Sequence, residues 1–422
     1  MTCRLRWRQR EDTIHAPAHT PRAAPLQLLA DRSFCQVWIV GALAGTMRWL
    51  DTLAVGVYVL QVTGSALLVA VTLFLRTVPM LLFGVLMGAV AERFDRRNLL
   101  LASLGLLAVV NALLAWLAYT DRLQLWQLAI GVFLSGLYWT VELPTRRTLV
   151  ADIAGIDRIA AAMGLEFSTS NLTRMIGPFV GGLLFELFAL PGTLLLGAIL
   201  YAIATLQLLR LTSAGPLPDS GGTGLMSTIM GGLAFMRASR TIVAILVITV
   251  CLNLFGFSYI SMVPVIARDV LGLSPFPTGV LMSAEGFGAL AGSLWVAFYA
   301  KPSRFHQIYF GGAVLFLVGI LIFSLSDAFW LSLPTLLLGG LGIAGFAAMQ
   351  SALIIAYAPT ELRNRAMGVL TMCIGVGPIG VLIVGILAEQ LGAATATLIS
   401  SAIGCASMVA CGLAWPDMTR RR

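Results

Sequence analysis

Five ionisable side chains lie inside long apolar runs of this chain. Arg48 and Asp51 are three residues apart, whereas Arg76, Arg174 and Glu285 each lie in a run of their own. A charge in apolar surroundings is costly unless it is paired or hydrated, so each of these residues is a functional candidate. A carboxylate in such a place can take up and release a proton, and an arginine can bind an anionic group.

The apolar runs that must position these charges are long enough to cross a membrane. Of the 422 residues, 59% are hydrophobic and 11% are charged. A helix of about 20 apolar residues crosses the hydrocarbon core, and backbone in lipid must be hydrogen-bonded within helices. The sequence therefore predicts an all-α membrane protein with twelve spans: Trp38 to Val62, Leu67 to Val90, Leu99 to Tyr119, Trp126 to Leu143, Met163 to Phe188, Gly192 to Leu211, Ile242 to Ile266, Thr278 to Ala300, Ile308 to Ser326, Phe329 to Tyr357, Met367 to Leu391 and Thr395 to Trp415.

The basic residues predict an orientation in the membrane. They concentrate in both tails and in alternate loops, whereas the opposite loops hold only Arg122 and Arg268. Cytoplasmic loops carry the excess of lysine and arginine, so we expect a multi-pass protein of the cell inner membrane with both termini in the cytoplasm. The net charge of +8 then faces anionic lipid headgroups, and we expect no nucleic-acid partner.

Histidine usage argues against metal and hydrolase chemistry. The three histidines, His15, His19 and His306, lie in the first tail and in a loop. No predicted span can therefore hold a histidine-based metal site or acyl-transfer centre. A Walker-type phosphate loop is also missing, so the sequence does not support ATP-driven transport by this chain alone. We expect no enzyme activity, no metal and no cofactor.

The predicted spans divide into two halves of six. A run rich in Gly, Pro and Ser at residues 213–222 begins the longest hydrophilic stretch and reads as a flexible linker. We interpret the first residues as a disordered basic tail, with an over-extended start codon as the alternative. The resulting segments are a basic cytoplasmic tail at 1–35, a six-helix half at 36–211, a cytoplasmic linker with an interfacial helix at 212–241, a second half at 242–416 and a basic tail at 417–422.

The two halves resemble each other. Gly177-Pro178 in the fifth predicted span has a counterpart in Gly377-Pro378 in the eleventh, which is the fifth span of the second half. Internal repeats of this kind are typical of carriers that bind their cargo between the halves, near the middle of the bilayer. A chance repeat is the alternative, although the matching position in the order of spans argues against it.

The loop after the second span carries the strongest motif, since residues 84–97 read GVLMGAVAERFDRR. This segment resembles the cytoplasmic loop signature of the major facilitator superfamily, usually written G-x-L-A-D-R-x-G-R-R. Gly88 permits close helix approach, and Glu92 can pair with an arginine or cap a helix. Arg93, Arg96 and Arg97 form a cationic cluster that can latch one half to the other, or can simply anchor the topology.

Further motifs narrow the resemblance. Residues 144–150, 173–178, 264–268 and 359–367 are similar to the branch that contains bacterial siderophore exporters and macrolide efflux permeases. The fifth span also resembles a pattern associated with exporters, through Gly164, Gly177, Pro178, Gly181 and Gly182. Small residues permit tight helix crossing and proline permits a bend, so this pattern is first a packing device. Two departures stand out: Asp95 replaces the usual Gly of the loop, and Val132 replaces an arginine that many drug/proton antiporters carry.

The resemblance implies a secondary transporter with the major facilitator fold. We expect a proton-coupled exporter, that is an antiporter, of a small amphipathic molecule such as a siderophore or drug, with an anionic group more often than a cationic one. An uptake symporter of the same fold is one alternative, and a transport-silent membrane receptor or assembly partner is another. The expected partners are the small-molecule substrate, protons and the lipid bilayer, and the expected state is a monomer.

The charges inside the spans receive roles in this scheme. Asp51 is the first candidate for proton coupling and Glu285 the second, while Arg48, Arg76 and Arg174 are candidates for the substrate cavity. A permanent pair of Asp51 with Arg48 or Arg76 is an equally weighted alternative for that carboxylate. Arg76 and Arg174 are the expected partners of an anionic cargo, unless Asp51 occupies Arg76 and backbone carbonyls at the Pro178 bend occupy Arg174.

Two carboxylates near the ends of the fourth and fifth spans receive a structural interpretation. Glu142 and Glu166 are expected to pair with Arg146 or Arg147.

Overall fold

The computed structural model describes residues 28–93, 95–155, 158–211, 240–357 and 363–418. These residues form helices and no strands. The α-helices are α1 Arg32–Thr63, α2 Ala66–Arg93, α3 Arg96–Tyr119, α4 Leu125–Ala154, α5 Ile159–Leu209, α6 Arg240–Cys251, α7 Val263–Asp269, α8 Pro275–Tyr299, α9 Phe305–Ser324, α10 Phe329–Tyr357, α11 Arg363–Ile374, α12 Gly377–Leu391 and α13 Ala393–Ala414. The predicted interfacial helix lies almost wholly in residues 212–239, outside the described part.

Ten helices of the described residues are long and apolar enough to cross a membrane. One of them, Ala161–Leu209, is nearly all of α5. It contains two predicted spans and turns at Ala189, where the backbone φ is 51°. α1 is outside the ten because Arg48 and Asp51 lower its mean hydropathy. With α5 counted twice and α1 included, the helices agree with the twelve predicted spans.

Successive spans alternate in direction, which gives the bundle two sides. We call the side where α1 begins the terminal side, and the opposite one the distal side. The start of α6 and the end of α13 meet on the terminal side, where Arg240 donates to the carbonyl of Ala414 at 2.8 Å. On the distal side, the Arg268 guanidinium donates to the carbonyl of Leu60 in the other half at 2.8 Å.

Two hydrophobic cores show where the halves touch. One core lies wholly within residues 28–211 and contains the terminal-side part of α1, from Phe34 to Leu50. The other core contains the distal part of α1, from Leu53 to Leu60, together with helices of the second half. The halves are thus packed against each other on the distal side, and a cavity separates them towards the terminal side.

Two spans of the second half are interrupted at the level of this cavity. The sequence predicts a span from Ile242 to Ile266, and within it a π turn at Leu252–Gly256 and a 3-10 turn at Phe257–Ser261 separate α6 from α7. The predicted span is present, but it is not a single regular α-helix. Pro264 supplies no backbone donor, and the Ser400 hydroxyl of α13 donates to the carbonyl of Phe255 at 3.0 Å. The eleventh span breaks likewise, between α11 and α12.

Candidate functional site

The cavity between the halves has a volume of about 470 Å³. The first half contributes five arginines to its wall: Arg48, Arg76, Arg146, Arg147 and Arg174. All three arginines that the sequence predicts for a cavity are among them. α1, α2, α4 and α5 each place at least one arginine here, so the wall of the first half is rich in arginine.

Asp51 and Arg76 form an ion pair between α1 and α2. The Asp51 Oδ2 to Arg76 Nη2 distance is 2.5 Å, and the two side chains are 13% and 9% exposed. Gly136 of α4 makes the arrangement possible, because a Cβ there would lie 2.8 Å from the carbonyl carbon of Arg76. The structure thus pairs Asp51 with Arg76, one of the two arginines that the sequence offered as its permanent partner.

Arg174 and Glu285 form a bidentate ion pair that joins the two halves. Arg174 of α5 donates from Nη2 to Glu285 Oε1 at 2.6 Å and from Nε to Oε2 at 3.3 Å. The adjacent Gly286 lets α8 approach closely, since a Cβ there would lie 2.6 Å from the backbone nitrogen of Met175. In this conformation Arg174 therefore binds Glu285, and not the backbone carbonyls at a Pro178 bend that the sequence offered as the alternative.

Arg48 is held by aromatic rings rather than by a carboxylate. Its guanidinium lies over the indole ring of Trp139, and its central carbon is 5.3 Å from the centre of the Trp49 ring. No carboxylate of the described residues forms an ion pair with it within 4.0 Å. A cation held against aromatic faces is stabilised by the negative ring faces and keeps its donors available.

A buried cluster of three charges lies nearer the terminal side. Arg146 of α4 donates from Nε to Glu142 and from Nη1 to Glu166. This confirms the prediction that Glu142 and Glu166 pair with Arg146. Gly41 of α1 provides the space, because a Cβ there would lie 2.7 Å from the guanidinium carbon of Arg146. The cluster ties α4 to α5 within the first half.

The second half lines the cavity with uncharged polar, aromatic and aliphatic groups, among them Asn253, Phe257, Ile260, Phe346 and Gln350. Gln350 Nε2 donates to the Thr249 hydroxyl at 2.8 Å, and that hydroxyl is 3.1 Å from the Tyr309 hydroxyl. Sequence reasoning missed this network. The signal was present, since Asn253 and Gln350 are amides inside apolar spans, where a polar group needs a partner.

The motif loop is described only in part, since the surroundings of Gly88 and the side chains of Glu92 and Arg93 lie outside the described part. Arg96 forms an ion pair with Asp152. Arg97 donates to the carbonyls of Leu208 at 3.1 Å and Leu209 at 2.8 Å, at the end of α5. All of these contacts stay within the first half, so the latch between the halves remains a prediction.

The unusual aspartate of this loop caps a helix. Asp95 has a backbone φ of −57°, which a side-chain-bearing residue adopts without strain. Its carboxylate accepts from the backbone nitrogen of Asn98 at 3.1 Å, in the first turn of α3.

Three of the four glycines predicted for packing lie at close crossings. A Cβ at Gly177 would lie 2.9 Å from the carbonyl oxygen of Thr46, and one at Gly181 would lie 3.0 Å from the Cα of Leu50. Gly182 faces the second half, where a Cβ would lie 2.6 Å from the carbonyl oxygen of Pro275.

Gly164 differs from these three, because a Cβ there would meet no atom within 4 Å. The assignment of Gly164 to helix packing therefore has no support in this conformation. Pro178 lies inside the continuous helix α5, and the sharp turn comes later, at Ala189.

Known proteins that resemble this chain are transporters. Residues 23–419 match the family model of the transmembrane secretion effectors. The chain is 24% identical to the staphyloferrin A transporter of Staphylococcus aureus (strain NCTC 8325 / PS 47), over 65% of the chain and 69% of that protein. It is 20% identical to the macrolide efflux protein A of Streptococcus pyogenes, over 85% and 90%, and 26% identical to the multidrug efflux pump Tap of Mycolicibacterium fortuitum, over 83% and 87%.

Solved structures agree on the fold. The nucleoside transporter NupG superimposes with a TM-score of 0.72 at 15% identity, over 90% of this chain and 98% of that one. The POT family transporter PepTSo gives a TM-score of 0.70 at 14% identity, over 91% and 98%. The family match covers most of the chain, and it agrees with the loop motif and with the two six-helix halves. The chain therefore belongs to the transmembrane secretion effector family of the major facilitator superfamily and is a multi-pass membrane transporter.

Proposed function

We propose that this chain is a proton-coupled exporter of a small amphipathic molecule with an anionic group. The observation that carries the anionic cargo is Arg48, which lines the cavity without an ion-pair partner among the described carboxylates. The names of the relatives, two efflux proteins and a siderophore transporter, support export of a small molecule. The working environment is the bacterial inner membrane, with one chain as the transporting unit.

We assign the first contact with the anionic group of the cargo to Arg48 and not to Arg76 or Arg174. Each of the first two arginines already binds a carboxylate, at 2.5 Å and 2.6 Å. A cargo anion would have to displace Asp51 or Glu285 to reach them, whereas Arg48 offers its donors without such competition. A charge-assisted hydrogen bond in a partly dry cavity is strong enough to select an anion.

Proton coupling is assigned to Asp51 and Glu285. Glu285 is the more informative of the two, because its partner Arg174 belongs to the other half. Protonation would neutralise Glu285 and remove an electrostatic link between α5 and α8. The proton would thus bias the relative position of the halves, which is what alternating access requires.

An uptake symporter is the second candidate function, and an electrostatic argument supports it. A bound anion favours a protonated carboxyl nearby, so cargo and proton at one site bind together and not in exchange. Export against a proton gradient therefore needs the two to bind in different conformations, with the Arg174–Glu285 link as the switch. The sign of the proton change on ligand binding separates the two candidates.

The experiment uses inverted membrane vesicles and a ligand found by thermal-stabilisation screening, since a ligand of the native state raises its melting temperature. An exporter accumulates this ligand inside inverted vesicles when the interior is acidic. Efflux under the same gradient would identify a symporter, and no proton-dependent flux with any stabilising ligand would refute both.

Orientation needs its own test. Reporter fusions at the C-terminus and in the linker, at residues 213–224, should both report the cytoplasm, because the basic loops lie on that side. An external signal at either point would refute the proposed topology and the division into two halves around a cytoplasmic linker.

A further inference from the structure

On the distal side, a glutamate just before the turn of α5 at Ala189 reaches across to the second half. Glu186 Oε2 accepts from the Ser274 hydroxyl at 2.7 Å and from the backbone nitrogen of Phe276 at 2.8 Å. Ser274 is the residue that precedes α8, and Phe276 is the second residue of that helix. The carboxylate of one half thus caps a helix of the other.

The same contact occurs a second time with the halves exchanged. Glu389 of α12 accepts through Oε2 from the Ser65 hydroxyl at 2.9 Å and from the backbone nitrogen of Leu67 at 3.1 Å. Ser65 precedes α2, and Leu67 is its second residue. Each half therefore supplies one glutamate. Each glutamate accepts hydrogen bonds from a serine hydroxyl and from the backbone N–H of the second residue of a helix in the opposite half.

The chemistry of a helix start explains why these contacts hold. The first backbone N–H groups of a helix have no partner within it, and the helix dipole makes that end positive. A carboxylate satisfies a free N–H and complements the dipole, which is worth about 1 kcal/mol for a helix cap. Here the carboxylate comes from the other half, so this stabilisation exists only while the halves are together.

Small residues close the helix crossing below each cap. Between α5 and α8, a Cβ at Gly279 would lie 3.2 Å from the Cα of Gly182. Between α12 and α2, a Cβ at Gly385 would collide with the Cβ of Ala70. The caps thus lie over two tight contacts that seal the distal side.

We propose that Glu186 and Glu389 are functional residues of the transport cycle that form a paired distal latch. The latch holds the distal side closed while the cavity faces the terminal side, and both caps break when the distal side opens. This inference rests on the proposed function only in requiring that the halves alternate. It predicts that removing the caps shifts the carrier towards the distal-open state.

The test measures the distance between the halves on the distal side in the full chain. Spin labels are introduced as unnatural amino acids at Tyr119 and Leu325, which are 80% and 64% exposed at the distal ends of α3 and α9. Each of Glu186→Ala and Glu389→Ala should raise the ratio of long to short distances about fivefold, the factor that corresponds to ~1 kcal/mol. The double variant should raise it about twenty-five-fold if the two caps act independently.

Asp327→Ala is the matched control, because Asp327 is an exposed distal carboxylate with no ion pair among the described residues. Glu186→Gln and Glu389→Gln should give intermediate shifts, since the amide oxygen still accepts hydrogen bonds but carries no charge. Distance distributions in the two Ala variants that match Asp327→Ala would overturn the latch. A clear shift in a protein that transports no stabilising ligand would leave the latch standing and refute the proposed function instead.

Discussion

The two halves contribute different chemistry to one cavity. The first half supplies five arginines and the carboxylates Glu142 and Glu166, whereas the second half supplies uncharged amides and aromatic rings. Among the described ion pairs near the cavity, the second half supplies one carboxylate. This is Glu285, which pairs with Arg174 of the first half. The difference indicates that the first half recognises charge, while the second offers an uncharged surface of amides and apolar rings.

The halves also differ in the continuity of their helices. α1, α2 and α4 of the first half run unbroken past the cavity, and Gly41 and Gly136 let them pack tightly around the arginines. In the second half, the π turn at Leu252–Gly256 and the break before Gly377 lie at the cavity wall. Continuous helices hold charges in fixed places, whereas interrupted helices can bend. We infer that the second half supplies much of the local rearrangement.

The largest expected effect concerns the carboxylates of the two halves. Glu285→Gln should remove proton-dependent flux while ligand affinity changes less than about threefold, because the amide keeps the shape but cannot ionise. Asp51→Asn should also remove proton-dependent flux in a folded protein. Flux in reconstituted vesicles across a pH gradient measures both.

These two variants can also show whether proton coupling belongs to one half or to both. If Asp51→Asn abolishes the pH dependence and Glu285→Gln keeps it in full, coupling belongs to the first half alone. Full retention by both variants would place the proton site elsewhere.

The second effect tests whether charge recognition lies in the first half. Arg48→Gln should weaken binding of an anionic ligand roughly 10- to 100-fold, since a hydrogen bond to a charged group contributes ~1.5–3 kcal/mol. Asn253→Ala, on the opposite wall, should change the affinity less than about threefold. Calorimetry with the best anionic ligand of the stabilisation screen measures both affinities.

Two outcomes would contradict this assignment. Equal affinity of Arg48→Gln and the unaltered protein would remove Arg48 from the site. A screen in which lipophilic cations bind best would refute the anionic cargo itself. If Arg48→Gln fails to fold, Arg48→Lys provides the second measurement, because lysine keeps the charge but loses the flat stacking on Trp139.

The sequence predicts the number and order of the spans better than it predicts which side chains contact each other. Apolar length alone gives the twelve spans, and the loop motif with the repeated Gly-Pro gives the superfamily and its two halves. The sequence could not match Arg174 with Glu285, which are 111 positions apart and on different halves. Nor could it show that Trp139 would stack on Arg48, since that contact depends on how α4 crosses α1.

The interruptions of the second half were equally hidden. Pro264 is a visible signal for a weakened helix, but the π turn lies several residues earlier. There, the Ser400 hydroxyl of a helix distant in sequence donates to the carbonyl of Phe255. Hydropathy reports how long a span is, and it does not report where a neighbouring side chain can replace a helical hydrogen bond.

A third and smaller effect tests the rigidity of the first half. Gly136→Ala should lower the free energy of unfolding by ~1–3 kcal/mol, because the new methyl group would meet the backbone of Arg76. Gly164→Ala is the matched control in the same half, where open space predicts a neutral or slightly stabilising change of at most ~1 kcal/mol. Thermal unfolding in detergent compares them. Equal melting temperatures of the two variants would show that α2 and α4 are not tightly packed.

The smallest effect concerns the broken span of the second half. Ser400→Ala removes the hydroxyl that donates to the carbonyl of Phe255, and should cost ~0.5–1.5 kcal/mol, the net contribution of one hydrogen bond. Its neighbour Ser401 is the matched control, because it is equally deep in α13 but its hydroxyl donates to Thr397 of its own helix at 2.8 Å. Ser401→Ala should therefore change stability less, since the Thr397 carbonyl retains its helical partner.

Turnover gives the sharper measurement for this pair. If Ser400 stabilises the interrupted conformation and the second half bends during transport, Ser400→Ala should change the rate of transport while Ser401→Ala should not. The affinity for an anionic ligand should stay unchanged in both variants, because the charge-binding wall is in the other half. A shift in affinity with no change in rate would mean that the second half recognises cargo and does not bend, which would reverse the division of labour between the halves.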